Sequence, residues 1–253
     1  MRIFLKTEDE IILLRAASQL ATRALIEVGR HVVPRLALSH LRNKVVNAVM
    51  RTVPTESNSG KEALSSDTEF TFFVNGAYIE PSLEGECMLC EGDWLTVNCW
   101  VCQNGYYSFG AHTFIVGSSQ DDEPMISTLR DMLRQVVRRA SAGHSIKEMS
   151  RTVYSLHSHD PYVLQKTFGH GVGRNRVENP ILRMNPGVND TVLLKEGMCL
   201  VIALAFKHGR SHLIKPRLMH ESTFHNPFVP FGTTVVVRPG RPEILTSFET
   251  IVK

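Results

Sequence analysis

A histidine set among glycines is the residue best placed to do chemistry in this 253-residue chain. His170 follows Gly169 and precedes Gly171, Val172 and Gly173. Glycines let the backbone pack closely while the ring projects. An imidazole can then act as base, acid or hydrogen-bond donor near neutral pH. The plainer account is a histidine held in place by local hydrogen bonds. Glu80, in NGAYIEP, is a second candidate. It would serve as a base or as the partner of a substrate ammonium, with a raised pKa if buried. Otherwise it is a solvated loop acid before Pro81. Gly169, Gly171 and Gly173 are not a nucleotide loop, because Pro180 and Pro186 follow where a helix would have to begin.

Two C-x-x-C pairs, Cys87/Cys90 and Cys99/Cys102, raise the question of zinc. The second pair lies in LTVNCWVCQ, which reads as a strand, and residues three apart on a strand point to opposite faces. Small buried thiols are the better account. His208, His212, His220 and His225 stand close together but carry no repeated ligand pattern. No metal is therefore assigned to either group, and an odd total of five cysteines argues against a disulfide framework.

Lys and Arg number 28 against 25 Asp and Glu. The net charge of +3 is too small to imply nucleic acid, and Arg138-Arg139 reads as part of a solvated helix face. No apolar run approaches the roughly 18 residues of a membrane span. The opening MRIFLKTEDEIILL places acids where a secretory signal needs an apolar run. The expectation is a cytoplasmic protein that binds neither nucleic acid nor membrane.

The elements that must position these residues follow from periodicity and punctuation. Residues 7–30 predict a helix, with Thr7 and Glu10 as a capping box and Ile11, Leu14, Ala17, Leu20, Ala21, Ala24, Leu25 and Val28 at helical spacing. A second helix is expected over 38–53. EFTFFVNGAYIEP reads as strands about an Asn75-Gly76 turn, and GDWLTVNCWVCQNGYYSFGAHTFIVG as a hairpin about Asn104-Gly105. Helices at 125–142 and 145–158 follow, the latter opened by a second capping box, Ser145 and Glu148. Residues 160–205 read as loops and strands, and TVVVRPGRPEILT as a closing hairpin. Helices, strands, helices, strands is the order of an α+β protein with helices on one face of an antiparallel sheet. On the central hairpin, Asn98, Trp100 and Cys102 share a face, and Phe109 and His112 should face opposite ways.

Four segments carry a resemblance. KTEDEIILLRAASQLATRAL, LCEGDWLTVNCWVCQNGYYSFGAHTFIVG, TFGHGVGRNRVENP and LLKEGMCLVIALAF resemble, in that order, the first helix, central hairpin, Gly-His-Gly segment and following strand of the methionine aminopeptidase and creatinase group. The resemblance implies the α+β pita-bread fold over a single domain, 1–253, with pseudo-twofold halves near 1–120 and 121–253. It also implies five ligands for two divalent ions: two Asp, one His and two Glu. Registered on this chain, those positions are Asn98, Phe109, His170, Ala203 and Gly232. The family's downstream histidine is Val177, and a substrate-facing histidine falls on Glu80.

Hard divalent ions need anionic oxygen for charge balance, and one imidazole with one amide does not replace four carboxylates. The expectation is thus no metal, no cofactor and no aminopeptidase activity. Catalysis falls to His170 and Glu80. Asn98, Trp100, Phe109, Val177, Ala203 and Gly232 line the substrate space. Two uses stay open: acid–base chemistry (isomerisation, cyclisation, elimination or C–N hydrolysis) on an amino-acid-like or peptide-like small molecule, or a non-catalytic module that binds a peptide, a protein or a second copy of the chain. Trp100 and Phe109 serve either a collapsed, filled cavity or a reshaped apolar pocket.

Overall fold

A computed structural model describes residues 2–52, 65–117, 124–157, 163–164, 167–185, 192–207 and 228–247. Helices α1 (Glu8–His31) and α2 (Leu38–Met50) lead into strands β1 (Glu69–Val74) and β2 (Ala77–Ile79), a short 3-10 turn at Pro81–Leu83, and the hairpin of β3 (Trp94–Gln103) and β4 (Tyr106–Ile115). Then come α3 (Pro124–Arg138), α4 (Ile146–His157), β5 (Val163–Leu164), β6 (Thr167–Gly171), β7 (Glu178–Arg183), β8 (Cys199–Lys207), β9 (Phe228–Val236) and β10 (Glu243–Ile244). The strands form one antiparallel sheet in the order β2-β1-β3-β4-β9-β8-β6-β7, with β10 beside β9 and β5 beside β8.

Local chemistry sets the boundaries. Thr7 accepts from the Glu10 amide while the Glu10 side chain accepts from the Thr7 amide, closing the first capping box. Ser145 and Glu148 do the same before α4. Asn75-Gly76 and Asn104-Gly105 both have positive φ at each position, the backbone a two-residue hairpin turn demands. Helix α3 stops at Arg138, short of the expected 142, because the Arg139 and Ala140 amides tighten onto Val136 and Val137 three residues back. Helix α2 likewise ends at Met50.

One core packs all four helices against one face of the sheet, through residues such as Leu25, Val45, Leu129 and Val153 against Val97, Phe114, Leu200 and Phe231. His112 lies on this face, fully buried between Phe114 and Phe231. A smaller cluster gathers Phe109, Ala111, Val201 and Val236, with Trp100 and Ala203 packed on it. The expected opposition of Phe109 and His112 holds. Cys99 joins the helix-side core and Cys102 does not, and all five cysteines are free thiols. Among the described residues no helix is long and apolar enough to cross a membrane.

The strands before residue 120 meet those after it where Ala111 on β4 faces Gly232 on β9. Beyond that pair hydroxyls take over. The Phe109 amide donates to Thr234 Oγ1 at 2.9 Å, and the Phe109 carbonyl accepts from the Thr234 and Thr246 hydroxyls. Ser108 donates to Thr234 and contacts Ser18 of α1 at 2.7 Å, all within the buried interior.

Candidate functional site

Residues directly opposite on paired strands share a face. Asn98 faces Ala111, Ala111 faces Gly232, and Gly232 faces Ala203, so a row crosses four strands. Trp100 faces Phe109 one step along, and His170 faces Val201, which lies two residues from Ala203 on the same side of β8. The sheet thus brings Asn98, Trp100, Phe109, His170, Ala203 and Gly232 to one surface. Phe109 and Gly232 are buried, while Asn98, Trp100, His170 and Ala203 keep partial exposure.

The ring of His170 is oriented by its own loop. Its Nδ1 lies 2.8 Å from the Gly171 carbonyl oxygen. A carbonyl only accepts, so Nδ1 carries the proton and Nε2 is left as an acceptor. Burial holds the imidazole below its usual pKa, and the bond to Gly171 opposes that only in part. The neutral ring stacks on Trp100, 6.0 Å between centroids and 8° between planes, and Trp100 leans on Phe109 at 4.8 Å. The flanking glycines are needed for close approach. A Cβ on Gly171 would stand 2.3 Å from the Asn179 carbonyl oxygen, and one on Gly169 2.1 Å from that of Val201.

The rim carries charges of both signs, and the arginines are engaged. Arg176 lies over Trp100 and Tyr107, at 5.7 and 5.8 Å from the ring centroids, and bonds Glu69 and the Asp67 carbonyl of the β1 side. Arg174 lies over Tyr106, whose hydroxyl donates to Glu10. Beneath this loop Lys6 and Glu178 form a buried ion pair at 2.5 Å, each side chain 5% exposed.

Glu80 is not brought to His170. It is exposed, precedes the 3-10 turn next to edge strand β2, and no hydrogen bond joins the two. The ring contact that His170 makes is with Trp100, two residues beyond Asn98 on the same face of β3. Val177 is 58% exposed between Arg176 and Glu178, at the rim rather than in the floor. Sequence reading missed Arg176, Arg174 and Lys6. The run of basic residues after the glycines, Arg174 and Arg176, was the available signal. The four histidines between 208 and 225 lie outside the described residues.

A curved antiparallel sheet backed by two helix pairs, with a histidine in a glycine-rich strand on its open face, is the pita-bread architecture. The chain belongs to the metallopeptidase family M24, whose model matches residues 12–237. It is 25% identical over 248 residues to a methionine aminopeptidase of Clostridium perfringens, covering 96% of this chain and 98% of that one. To a methionine aminopeptidase of Helicobacter pylori it is 28% identical over 225 residues, covering 85% and 87%. Among solved structures, the methionine aminopeptidase of Thermotoga maritima superposes with a TM-score of 0.78 at 22% identity, covering 97% of this chain and all of that one. The prolidase of Pyrococcus furiosus gives 0.72 at 19%, covering 96% of this chain and 65% of its own.

The residues present do not fit the pair of divalent ions that the family implies. Among the described residues no three His, Cys, Asp or Glu side chains gather to hold an ion. The Phe109 ring also occupies the space above Gly232, where a Cβ would already stand 2.6 Å from its Cε1. The comparisons nevertheless overturn the expected function. The expectation of metal-independent chemistry on a small molecule, or of an inactive binding module without aminopeptidase activity, does not stand against relatives named methionine aminopeptidases that cover 96% and 85% of this chain. The physical reason is that a changed ligand set speaks to one way of activating water, and not to the class of substrate a cleft receives.

Proposed function

We propose that this protein acts at the amino-terminal end of peptides, in the aminopeptidase class of its relatives. The observation that carries the reading is the end-to-end match to methionine aminopeptidases, with 96% of this chain and 98% of the relative covered. His170 supports it from the geometry: a neutral, oriented imidazole whose Nε2 is left as an acceptor, stacked on Trp100, which packs in turn on Phe109. Its role is to accept or relay a proton at Nε2 next to the bound peptide. The aromatic pair and Ala203 receive apolar atoms.

The test is a Met-initiated peptide mixture incubated with the full chain, with and without Co, Mn, Fe and Zn, and followed by mass spectrometry. Loss of the first residue is expected, lowered about a hundredfold or more in His170→Ala, the size of a general acid–base contribution. Absence of amino-terminal processing under every condition would overturn the reading.

A further inference from the structure

The buried pair of Lys6 and Glu178 stands apart from the other ion pairs around the open face, which keep contact with water. Taking two charges out of water can cost more than their attraction returns, so such a pair is a weak stabiliser. Its use lies in the shape it imposes. We propose that Glu178, neutralised by Lys6, is a positioning residue: it holds the backbone that keeps the His170 proton on Nδ1 and lays Arg176 over Trp100. The catalytic half of this rests on the peptide reading above, and the placement half does not.

Both carboxylate oxygens of Glu178 are used. Oε2 takes Lys6 Nζ at 2.5 Å, and Oε1 accepts from the Asn175 amide at 3.1 Å. The Asn175 carbonyl accepts in turn from the Gly173 amide, so the turn between β6 and β7 is closed on Glu178. Lys6 reaches this carboxylate because Gly173 has no side chain. A Cβ there would run into Lys6 Cε and stand 2.8 Å from Glu178 Oε1. The Lys6 backbone is fixed as well, its amide donating to the Gly197 carbonyl at 2.8 Å.

The turn acts on the open face at both of its ends. The β6–β7 register slips between His170, opposite Ile181, and Gly171, opposite Glu178. The regular ladder is interrupted at that step, so on the β7 side Gly171 is held where Glu178 is held. Gly171 supplies the carbonyl oxygen 2.8 Å from His170 Nδ1. Without that acceptor a neutral imidazole divides its proton between two nitrogens, and only the Nδ1–H form leaves Nε2 free to accept. Beyond Asn175 the turn carries Arg176, which crosses to Glu69 and the Asp67 carbonyl and lies over Trp100.

The experiment compares two neutral versions of the pair in the full chain. Lys6→Met with Glu178→Gln keeps an oxygen for the Asn175 amide. Lys6→Met with Glu178→Met has nearly the same shape and no acceptor. Circular dichroism and urea unfolding establish that each is folded. Ring nitrogen NMR at about pH 8, above the ordinary histidine pKa, should show the Nδ1–H form of His170 in the wild type and the Gln version, and a mixture of both tautomers in the Met version. On a Met-initiated peptide, kcat of the Met version should lie about tenfold or more below that of the Gln version at similar KM, the kind of loss that misplacing a reacting group brings. Asn175→Pro removes the donor and leaves the ion pair untouched. It should repeat the Met result, and it decides the matter if the Met version does not fold. Equal tautomers and equal kcat in the two versions would overturn the proposal, as would the same loss in both. A changed tautomer with unchanged kcat would overturn the catalytic half. If no version, the wild type included, releases an amino-terminal residue, the peptide reading fails, and the tautomers alone decide the placement.

Discussion

The Phe109 ring and the Cα of Gly232 are fitted to one another: Cε1 stands 2.6 Å from where a Cβ at position 232 would be. The two positions form one packing unit, so their changes should not add. Gly232→Ala is expected to cost about 1–3 kcal/mol by overpacking, and Phe109→Ala about 3–5 kcal/mol by leaving a cavity. In the double variant the new methyl occupies part of that cavity, so the sum should fall short by about 1 kcal/mol or more. Urea unfolding of the four proteins measures this. Strict additivity would mean that the contact carries no coupling.

The buried pair of Lys6 and Glu178 gives a second prediction. Lys6→Met leaves a carboxylate buried beside the Asn175 amide with no counter-charge, and should destabilise the fold by about 3–5 kcal/mol. Lys6→Met with Glu178→Met removes both charges and should recover much of that loss. A Lys6→Met protein as stable as the wild type would show that the pair is open to water.

For His170 the sign of the pH effect is fixed by its lowered pKa. Above about 6.5, the ordinary histidine value, the ring is neutral in both folded and unfolded chains, and its contribution to stability is complete. As pH falls below that value the unfolded chain takes up the proton first, so stability declines until the folded ring also titrates. Ring NMR should place the His170 midpoint below that of free histidine. The decline should shrink in His170→Gln. A midpoint at or above 6.5 would refute the burial argument.

Arg176→Ala should scarcely change stability, by less than about 1 kcal/mol, because its ion pair with Glu69 is partly exposed. It should change the environment of Trp100, over which the guanidinium lies. In a Trp94→Phe background, which leaves one tryptophan, emission should shift to the red and quenching by acrylamide should rise. Unchanged fluorescence would show that Arg176 does not cover the ring.

Much of the frame was legible because its signals are local. The capping boxes at Thr7 and Ser145 and the turns at Asn75 and Asn104 involve residues within three positions of one another. Period two on a single hairpin was enough to place Phe109 and His112 on opposite faces. What escaped is non-local. Lys6 meets Glu178 across 172 residues and Arg176 meets Glu69 across 107, distances at which no spacing rule reaches. Glu80 was assigned to the site on a short motif, whereas the edge position of β2 decides where it sits. Function was misjudged by weighing four substituted positions above the likeness of the whole chain to its relatives.

The hydroxyl contacts between β4 and β9 have a consequence for hydrogen exchange. An amide in the middle of a long strand is ordinarily shielded by a carbonyl of the neighbouring strand, so its exchange reports the breaking of the ladder. The Phe109 amide is shielded instead by Thr234 Oγ1, a side-chain atom on a stiff, β-branched residue. Rotation of that one side chain, or a slight parting of β4 from β9, frees this amide while the Ala111–Gly232 pairing beside it stays closed. Its exchange rate therefore reports the opening between the two groups of strands, at the base of the face that carries Trp100 and His170.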